Sequence, residues 1–294
     1  MPLKVACRAS DNDKHEWDIT FLLFHKGKLY SAADDGKIKM WSQDLLKVAE
    51  VEAHPCSVYC LAANEETLFS CSNDGSIKLW DLDTLKAKEV LVQTNEVEFW
   101  RVAYSAGCLF SGDDKGNINV YKNKKLYGQV NIAEPIKDMT IHGTLVFTVK
   151  DLDLVITEIK LEGEKIQYGT KNSFMGRAPV TLIGDNLFAF ATREGKEIQL
   201  HENNIESGFK QVARITHGSD MIINALAGVK WDNQEQLFSG GWDRILKQWA
   251  IKNNCPNNEA SVDIEIVITA IIGGDNRQVY VGGADGHLVR VDVV

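Results

Sequence analysis

The sequence lacks most features of helical, membrane-spanning or disulfide-stapled proteins. Only five of its 294 residues are proline, yet no heptad or long helical period of apolar residues appears, so few helices are expected. No apolar run approaches the roughly 18 residues of a membrane span, and the start MPLKVACRASDNDKHEW has no apolar signal core. The six cysteines lie singly, without a CxxC pair, which predicts reduced thiols and a cytosolic or nuclear location.

Basic residues are in deficit, and familiar catalytic motifs are missing. The chain has 32 Lys and Arg against 41 Asp and Glu, a formal charge of -9. Nucleic acids and anionic membrane surfaces attract basic faces, so this balance argues against both as partners. No GxSxG, HExxH, GxxxxGK[ST] or GxGxxG pattern occurs. The composition, 44% hydrophobic and 25% charged, is that of a globular protein.

What the chain does have is an internal repeat. LYSAADDGKIKMW (29–41) and LFSCSNDGSIKLW (68–80) align without a gap: an apolar pair, Ser, an Asp-Gly turn and an alternating strand that ends in Trp. Related stretches follow at 109–121, 145–157, 187–201, 237–249 and 279–291, with the copies at 145 and 187 weaker. Seven copies at steps of about forty residues fill the chain, which is the signature of a repeat architecture.

Each copy is predicted to form four short strands. An apolar run such as SVYCLAA (57–63) precedes each hairpin, and a polar alternating stretch such as KVAEVEA (47–53) follows it. Asp-Gly between alternating strands is the strongest short hairpin signal. The turn positions are Asp35, Asp74, Lys115, Asp151, roughly Glu194, Asp243 and Asp285. The fold class is therefore all-β.

Forty-residue, four-stranded repeats ending in Trp-Asp resemble the WD-repeat β-propeller family over essentially the whole chain. The resemblance implies one domain, 1–294, forming a seven-bladed propeller of four-stranded antiparallel blades. The expected blades are about 15–54, 54–94, 95–134, 135–178, 179–216, 217–265 and 266–294. Copy 7 ends at its third strand, so residues 3–9 are expected to supply its outer strand and close the ring.

The resemblance also assigns the recurring polar residues to a buried structural clamp. In that family a His before the inner strand, a Ser, the turn Asp and the Trp form a hydrogen-bond chain, with the His expected to donate to the hydroxyl. The matching residues are His15, Ser31, Asp35 and Trp41 in copy 1, His54, Ser70, Asp74 and Trp80 in copy 2, and His217, Ser239, Asp243 and Trp249 in copy 6. An enzyme has one nucleophile site, whereas this set recurs, so the clamp interpretation is favoured over a catalytic triad.

Partners in the resembled family dock on the rim where inner strands begin and the turns between second and third strands project. The partner-binding residues predicted here are Trp17, Asp18, Asp34, Asn73, Glu98, Trp100, Asp114, Trp242 and Ala284. Ser57, Glu96, Asp138 and Asp220 flank them. This acidic, Trp-containing rim predicts a non-enzymatic scaffold that binds a protein or peptide, with a Lys- or Arg-bearing motif as the hypothesis. No cofactor or metal is predicted.

Other interpretations stay open at this point. Polar rim loops can be solvated without binding anything, and the degenerate blades 4 and 5 could support assembly through their edges. A propeller enzyme or metal-binding protein would need Asp18, Glu98 and Asp138 to converge at the mouth of the central channel. A nucleic-acid or phospho-ligand site would need clustered arginines, but Arg101, Arg177, Arg193 and Arg244 come from separate copies.

Overall fold

The computed structural model describes residues 2–163 and 165–294, which form seven four-stranded antiparallel sheets. Blade 1 contains β2 (Ile19–His25), β3 (Lys28–Ala33), β4 (Lys37–Trp41) and β5 (Lys47–Glu52). Blade 2 contains β6 (Val58–Ala63), β7 (Thr67–Ser72), β8 (Ser76–Asp81) and β9 (Ala87–Gln93). Blade 3 contains β10 (Phe99–Ser105), β11 (Cys108–Asp113), β12 (Asn117–Lys122) and β13 (Lys125–Asn131).

The remaining blades repeat this order. Blade 4 contains β14 (Asp138–His142), β15 (Leu145–Val149), β16 (Asp153–Glu162) and β17 (Lys165–Met175). Blade 5 contains β18 (Arg177–Ile183), β19 (Leu187–Ala191), β20 (Ile198–Glu202) and β21 (Gln211–Ile215). Blade 6 contains β22 (Ile223–Trp231), β23 (Gln234–Gly241), β24 (Ile245–Lys252) and β25 (Cys255–Asp263). Blade 7 contains β26 (Ile268–Gly273), β27 (Gln278–Gly283), β28 (Leu288–Val293) and β1 (Leu3–Arg8).

The blades form a closed ring around a central channel. Each inner strand contacts the inner strand of the next blade, and β26 of blade 7 contacts β2 of blade 1. Across the described residues the one helical element is a 3₁₀ turn at Ala284–Gly286. The predicted seven-bladed all-β fold is confirmed. Within that same part of the chain, no helix has the length and apolarity needed to cross a membrane.

Burial follows strand position within a blade. The second strands β3, β7 and β11 are almost wholly buried because neighbouring blades cover both of their faces. The outer strand β5 instead exposes part of its length to solvent. This matches the sequence, in which apolar runs mark the inner strands and polar alternation marks the outer ones.

The N-terminal strand closes the ring as predicted. β1 pairs antiparallel with β28, with Leu3 opposite Val293 and Val5 opposite Val291. Leu3 and Val5 pack against the apolar cluster shared by blades 6 and 7. Arg8 reaches back to blade 6, where its Nη2 donates to the Ile264 carbonyl at 3.0 Å. The closing strand therefore covers β28, which would otherwise be an open edge.

The turns between second and third strands lock each blade to the loop that follows it. Gly75 has φ of +75°, and a Cβ at this position would lie 1.9 Å from the Thr94 carbonyl oxygen. The Thr94 amide in turn donates to the Gly75 carbonyl at 2.9 Å. Gly36 makes the same close approach to the His54 carbonyl. Glycine is required at these turns both for its positive φ and for its missing side chain.

A β-bulge lies opposite the end of the third strand in all seven blades. The extra residue lies on the outer strand. The third-strand residues at this point are Trp41, Trp80, Tyr121, Thr157, His201, Trp249 and Val291. Thr157 and His201 thus stand at the Trp position of blades 4 and 5, where the repeat is weakest in sequence. His201 is buried against the rings of Phe174, Phe188 and Phe190. Apolar and aromatic packing replaces the polar clamp in blade 5.

Candidate partner-binding pocket at the channel mouth

The clamp of blade 1 is a continuous buried hydrogen-bond chain. His15 Nδ1 lies 2.9 Å from Asp35 Oδ2, and its Nε2 lies 2.7 Å from Ser31 Oγ. Trp41 Nε1 donates to the same hydroxyl oxygen at 2.8 Å. Burial lowers the pKa of His15 against the opposing effect of Asp35, so the imidazole is neutral and Nδ1–H donates to Asp35. Nε2 therefore accepts from Ser31, the reverse of the direction expected from the sequence.

Blade 2 repeats the arrangement with nearly the same distances. His54 Nδ1 lies 2.9 Å from Asp74 Oδ2, its Nε2 lies 2.8 Å from Ser70 Oγ, and Trp80 Nε1 donates to that oxygen at 2.9 Å. Ser70 is completely buried. A hydroxyl that has two protein partners and no access to substrate fits a structural role and not that of a nucleophile.

Ionised carboxylates anchor these clamps. Burial alone would raise the pKa of Asp35, but hydrogen bonds from His15 and from the amides of Lys37 and Glu16 lower it to about 2. Asp74 behaves likewise: burial opposes ionisation, while hydrogen bonds from Ser76 and His54 bring its pKa below the usual value. Charge-assisted bonds of this kind are the stronger ones in a protein.

Blade 6 departs from the predicted clamp. His217 is exposed, and Ser219 donates to Asp243 Oδ2 at 2.6 Å in its place. Trp249 Nε1 still donates to Ser239 Oγ at 3.0 Å. The prediction for His217 is therefore wrong, because the longer loop before β22 carries Ser219 to the clamp position. The shorter side chain leaves two separate hydrogen bonds instead of one chain.

Several clamp residues have no counterpart in the sequence prediction. In blade 3, Asp113 replaces the turn acid: its carboxylate accepts from the amides of Lys115 and Asn117. Lysines two residues before the Trp form a further shared element, donating to carbonyls of the loop that enters each blade. The bonds are Lys39 to Asp13 and Lys14, Lys78 to Ala53, and Lys247 to His217. The recurring Lys-x-Trp in KMW, KLW and KQW is the sequence signal that could have revealed them.

The channel mouth is built by a second set of bulges, at the second residue of the inner strands. The bulged residues are Thr20, Tyr59, Trp100, Asn224 and Thr269. Bulges re-aim side chains, and they are common beside functional sites. Thr20, Asn224 and Thr269 each donate to the carbonyl of the first inner-strand residue in the next blade, at 2.5, 3.0 and 2.6 Å. These side chains latch neighbouring blades together.

Blades 2 and 3 carry aromatic rings at the equivalent positions. Tyr59 and Trp100 meet edge to face, with ring centroids 6.3 Å apart. Trp100 Nε1 donates to Glu98 Oε2 at 2.9 Å, which fixes the indole. Burial raises the pKa of the Tyr59 hydroxyl, and the nearby carboxylates of Glu98 and Asp34 raise it further. The mouth is therefore latched on one side and aromatic on the other.

A cavity of about 500 Å³ opens at this mouth, and we call it the mouth pocket. Its lining residues are Asp18, Ile19, Thr20, Asp34, Tyr59, Trp100, Arg101, Lys137 and Thr269. Its two cations are already neutralised, since Arg101 pairs with Asp138 at 2.9 Å and Lys137 pairs with Asp151. In the described ranges, neither Asp18 nor Asp34 takes part in a salt bridge. The pocket thus carries uncompensated negative charge beside two aromatic rings.

The predicted partner-binding residues fall into three groups. Asp18, Asp34 and Trp100 line the mouth pocket, and Glu98 supports it from behind. Trp17 and Trp242 are 65% and 53% exposed but are not among its lining residues. The rest serve locally: Asp114 pairs with Lys115 and accepts from the Glu98 amide, while Asn73 and Ala284 lie in turns. Tyr59, Lys137 and Thr269 were missed, although Tyr59 matches Trp100 in strand position.

The acids proposed for a metal or catalytic centre are each engaged separately. Asp18 Oδ1 accepts from the Asp285 amide, and Glu98 accepts from Trp100. Asp138 binds Arg101 with one oxygen and the Val180 amide with the other. Among residues 2–163 and 165–294, no group of three or more His, Cys, Asp or Glu side chains could hold a metal ion.

Comparisons with known proteins agree with this architecture. Residues 46–81 and 209–250 match the family model described as WD domain, G-beta repeat. The WD40 β-propeller domain of Doa1 superposes with a TM-score of 0.78 at 14% identity, covering 99% of this chain and 97% of that one. The structure of U3-55K superposes with a TM-score of 0.80 at 13% identity, covering 99% and 98%. A comparison with curated proteins gave no match.

The repeats and the ring together define the class of this molecule. The chain forms a seven-bladed β-propeller in which two stretches match the WD-repeat family model, so the resemblance inferred from the sequence is confirmed. Propellers of this class generally serve as protein-interaction scaffolds.

Proposed function

We propose that this propeller is a non-enzymatic interaction scaffold whose mouth pocket binds a Lys- or Arg-bearing segment of a protein partner. The supporting observation is the pairing of unneutralised carboxylates, Asp18 and Asp34, with the rings of Tyr59 and Trp100 in one cavity. Carboxylates attract a cationic side chain, and an aromatic face adds about 0.5–2 kcal/mol of cation–π stabilisation. The buried, fully bonded Ser–His pairs offer no competing catalytic role.

The test uses isosteric removal of the pocket charge. Asp18→Asn combined with Asp34→Asn keeps side-chain shape and the acceptor for the Asp285 amide. We expect fluorescence-labelled peptides with single Lys or Arg residues in a Gly-Ser background to bind the wild-type protein. The double variant should bind them about tenfold more weakly, as expected when two charges about one pocket are lost.

A matched control changes the net charge equally on the opposite face. Asp185 and Glu206 are exposed there, in the turns at 184–186 and 203–210. Asp185→Asn with Glu206→Gln should leave peptide binding unchanged. If both double variants weaken peptide binding equally, the effect is one of net charge and not of the mouth pocket. If the wild-type protein binds neither basic peptide, the proposed site is wrong.

We propose Trp242 as a second contact for the same partner. Its ring is half-exposed, and its amide donates to the Ile222 carbonyl at 3.1 Å. Met221, which precedes Ile222 in the chain, is also exposed. Exposed Trp on a fixed turn is a typical interaction anchor. Trp242→Ala should weaken binding of an intact partner while leaving the short basic peptides unaffected, because the mouth pocket does not include blade 6 turns.

A further inference from the structure

The mouth pocket is asymmetric in a way that restricts its ligand. On the side of blades 6, 7 and 1, the polar side chains of the bulge residues form hydrogen bonds between blades, such as that from Thr269 to the Ile19 carbonyl. On the side of blades 2 and 3, Tyr59 and Trp100 present rings in place of such latches. A bound side chain therefore meets two different walls. The polar groups of one wall already have hydrogen-bond partners, whereas the aromatic rings of the other are available for contact.

Trp100 is held rigidly enough to act as a stacking surface. Glu98 accepts from its indole nitrogen, and the Glu98 amide donates to Asp114 Oδ1 at 2.9 Å. The Tyr59 ring packs against it at an interplanar angle of 75°. The hydrogen-bonding edge of the indole is thus occupied, which leaves a ring face for a ligand in the pocket.

Two carboxylates, and not one, supply acceptors to the pocket. The Asp34 amide donates to the Asp18 carbonyl at 3.0 Å, which brings the two residues together. Asp18 uses Oδ1 for the Asp285 amide, so its Oδ2 and the Asp34 carboxylate remain for a ligand. A planar guanidinium presents five donors in a fork that can use several acceptors at once, and it stacks on aromatic faces.

From this geometry we infer that the mouth pocket selects arginine over lysine. This rests on the proposed function and narrows its ligand class. Lysine carries a compact, strongly hydrated ammonium. In a cavity of about 500 Å³ this group would bind one carboxylate and retain its hydration water. Arginine can lie flat on Trp100 while its edge donates to Asp18 and Asp34.

The experiment follows the Trp100 ring directly. Protein labelled with 5-fluorotryptophan gives a fluorine resonance for each of its seven tryptophans, and Trp100→Phe identifies the Trp100 signal. The probes are the Nα-acetyl amides of arginine, lysine and citrulline, the last a neutral isostere of arginine. We expect the arginine probe to shift the Trp100 resonance with an affinity about threefold or more above that of lysine. Citrulline should bind more weakly than arginine.

The outcomes separate this inference from the proposed function. If the lysine probe shifts Trp100 with equal or higher affinity, the preference for arginine is wrong and the basic-ligand site stands. If neither cation shifts Trp100, both are wrong. Asp18→Asn with Asp34→Asn should abolish the difference between arginine and citrulline, and a difference that survives would assign the selectivity to another group.

Discussion

At the scale of single residues, each clamp hydroxyl satisfies two buried partners. Ser31 Oγ bonds both His15 Nε2 and Trp41 Nε1, so its removal leaves an acceptor and a donor unpaired. Ser31→Ala should lower the free energy of unfolding by about 2–4 kcal/mol, because each orphaned group costs about 1–3 kcal/mol. Urea unfolding followed by fluorescence measures this.

The control for that change is Ser173→Ala on the outer strand β17, where Ser173 is exposed. Its effect should stay within about 0.5 kcal/mol. A Ser31→Ala protein as stable as the control would show that the clamp contributes specificity of structure and not stability.

His201 makes the stability of blade 5 dependent on pH. Its Nδ1 donates to the Phe209 carbonyl at 2.9 Å, while its buried Nε2 has no hydrogen-bond partner. Burial lowers its pKa, so the folded state favours the neutral ring. The associated stability is complete above the unfolded pKa of about 6.5 and is lost as pH falls below it.

Denaturant titrations at pH values between about 7 and 5 should therefore show falling stability in the wild-type protein. His201→Phe removes this titrating group, so the decline should be shallower, although the baseline also drops with the loss of the Phe209 bond. His15, His54 and His287, whose pKa values burial also lowers, contribute to the remaining slope. Identical slopes in both proteins would contradict the role assigned to His201.

Site residues can be predicted from the sequence where their spacing repeats. The prediction fails where a loop changes length. The Ser, Asp and Trp of copies 1, 2 and 6 sit at fixed offsets, and their contacts follow that pattern. Ser219 escapes prediction because a longer loop moves a different residue into place. Tyr59 escapes because it reads as an ordinary strand residue until the bulge directs it to the channel mouth.

At the scale of elements, two glycines with similar backbone conformation allow the cost of backbone strain to be measured separately from the cost of a steric clash. Gly75 and Gly107 have φ of +75° and +77°, but a Cβ would strike the Thr94 carbonyl only at Gly75, with nothing within 4 Å at Gly107. Gly107→Ala should cost about 1 kcal/mol for the left-handed conformation alone. Gly75→Ala should cost clearly more, since the turn must leave the next loop.

Thermal or urea unfolding of the two variants side by side gives the comparison. The difference between them measures how strongly the turn of blade 2 is coupled to the loop entering blade 3. Equal losses would mean that this loop moves aside freely.

The closing strand β1 gives a second element-level comparison. Val5 faces the apolar cluster of blades 6 and 7, whereas neighbouring Lys4 is exposed. Val5→Asp should lower unfolding stability by about 2 kcal/mol or more by placing a charge in that cluster. Lys4→Asp should change it little. Size-exclusion chromatography should also show more self-association for Val5→Asp, because β28 becomes an open edge.

At the scale of the whole molecule, the regular spacing of the repeats is enough to predict the ring, without knowledge of any single contact. Seven copies of about forty residues require four strands each, and a last copy without its outer strand requires the N-terminus to supply one. The mouth pocket could not be predicted in the same way. Its walls come from blades 1, 2, 3, 4 and 7, and which side chains meet there depends on the bulged inner-strand residues of blades 1, 2, 3 and 7, whose type differs between blades.

The loop that enters each of blades 1 and 2 carries the histidine that clamps the blade following it. His54 lies before β6 yet bonds Ser70 and Asp74 within blade 2, and Lys78 holds the same loop through the Ala53 carbonyl. A circularly permuted chain opened at residues 53–57 would separate the clamp histidine from the rest of blade 2 in the covalent chain. New termini at Gly143, in a turn on the opposite face with open space around it, would leave every clamp covalently intact. The natural unit of this chain, for dissection or recombination, therefore starts at the clamp histidine and not at the first strand.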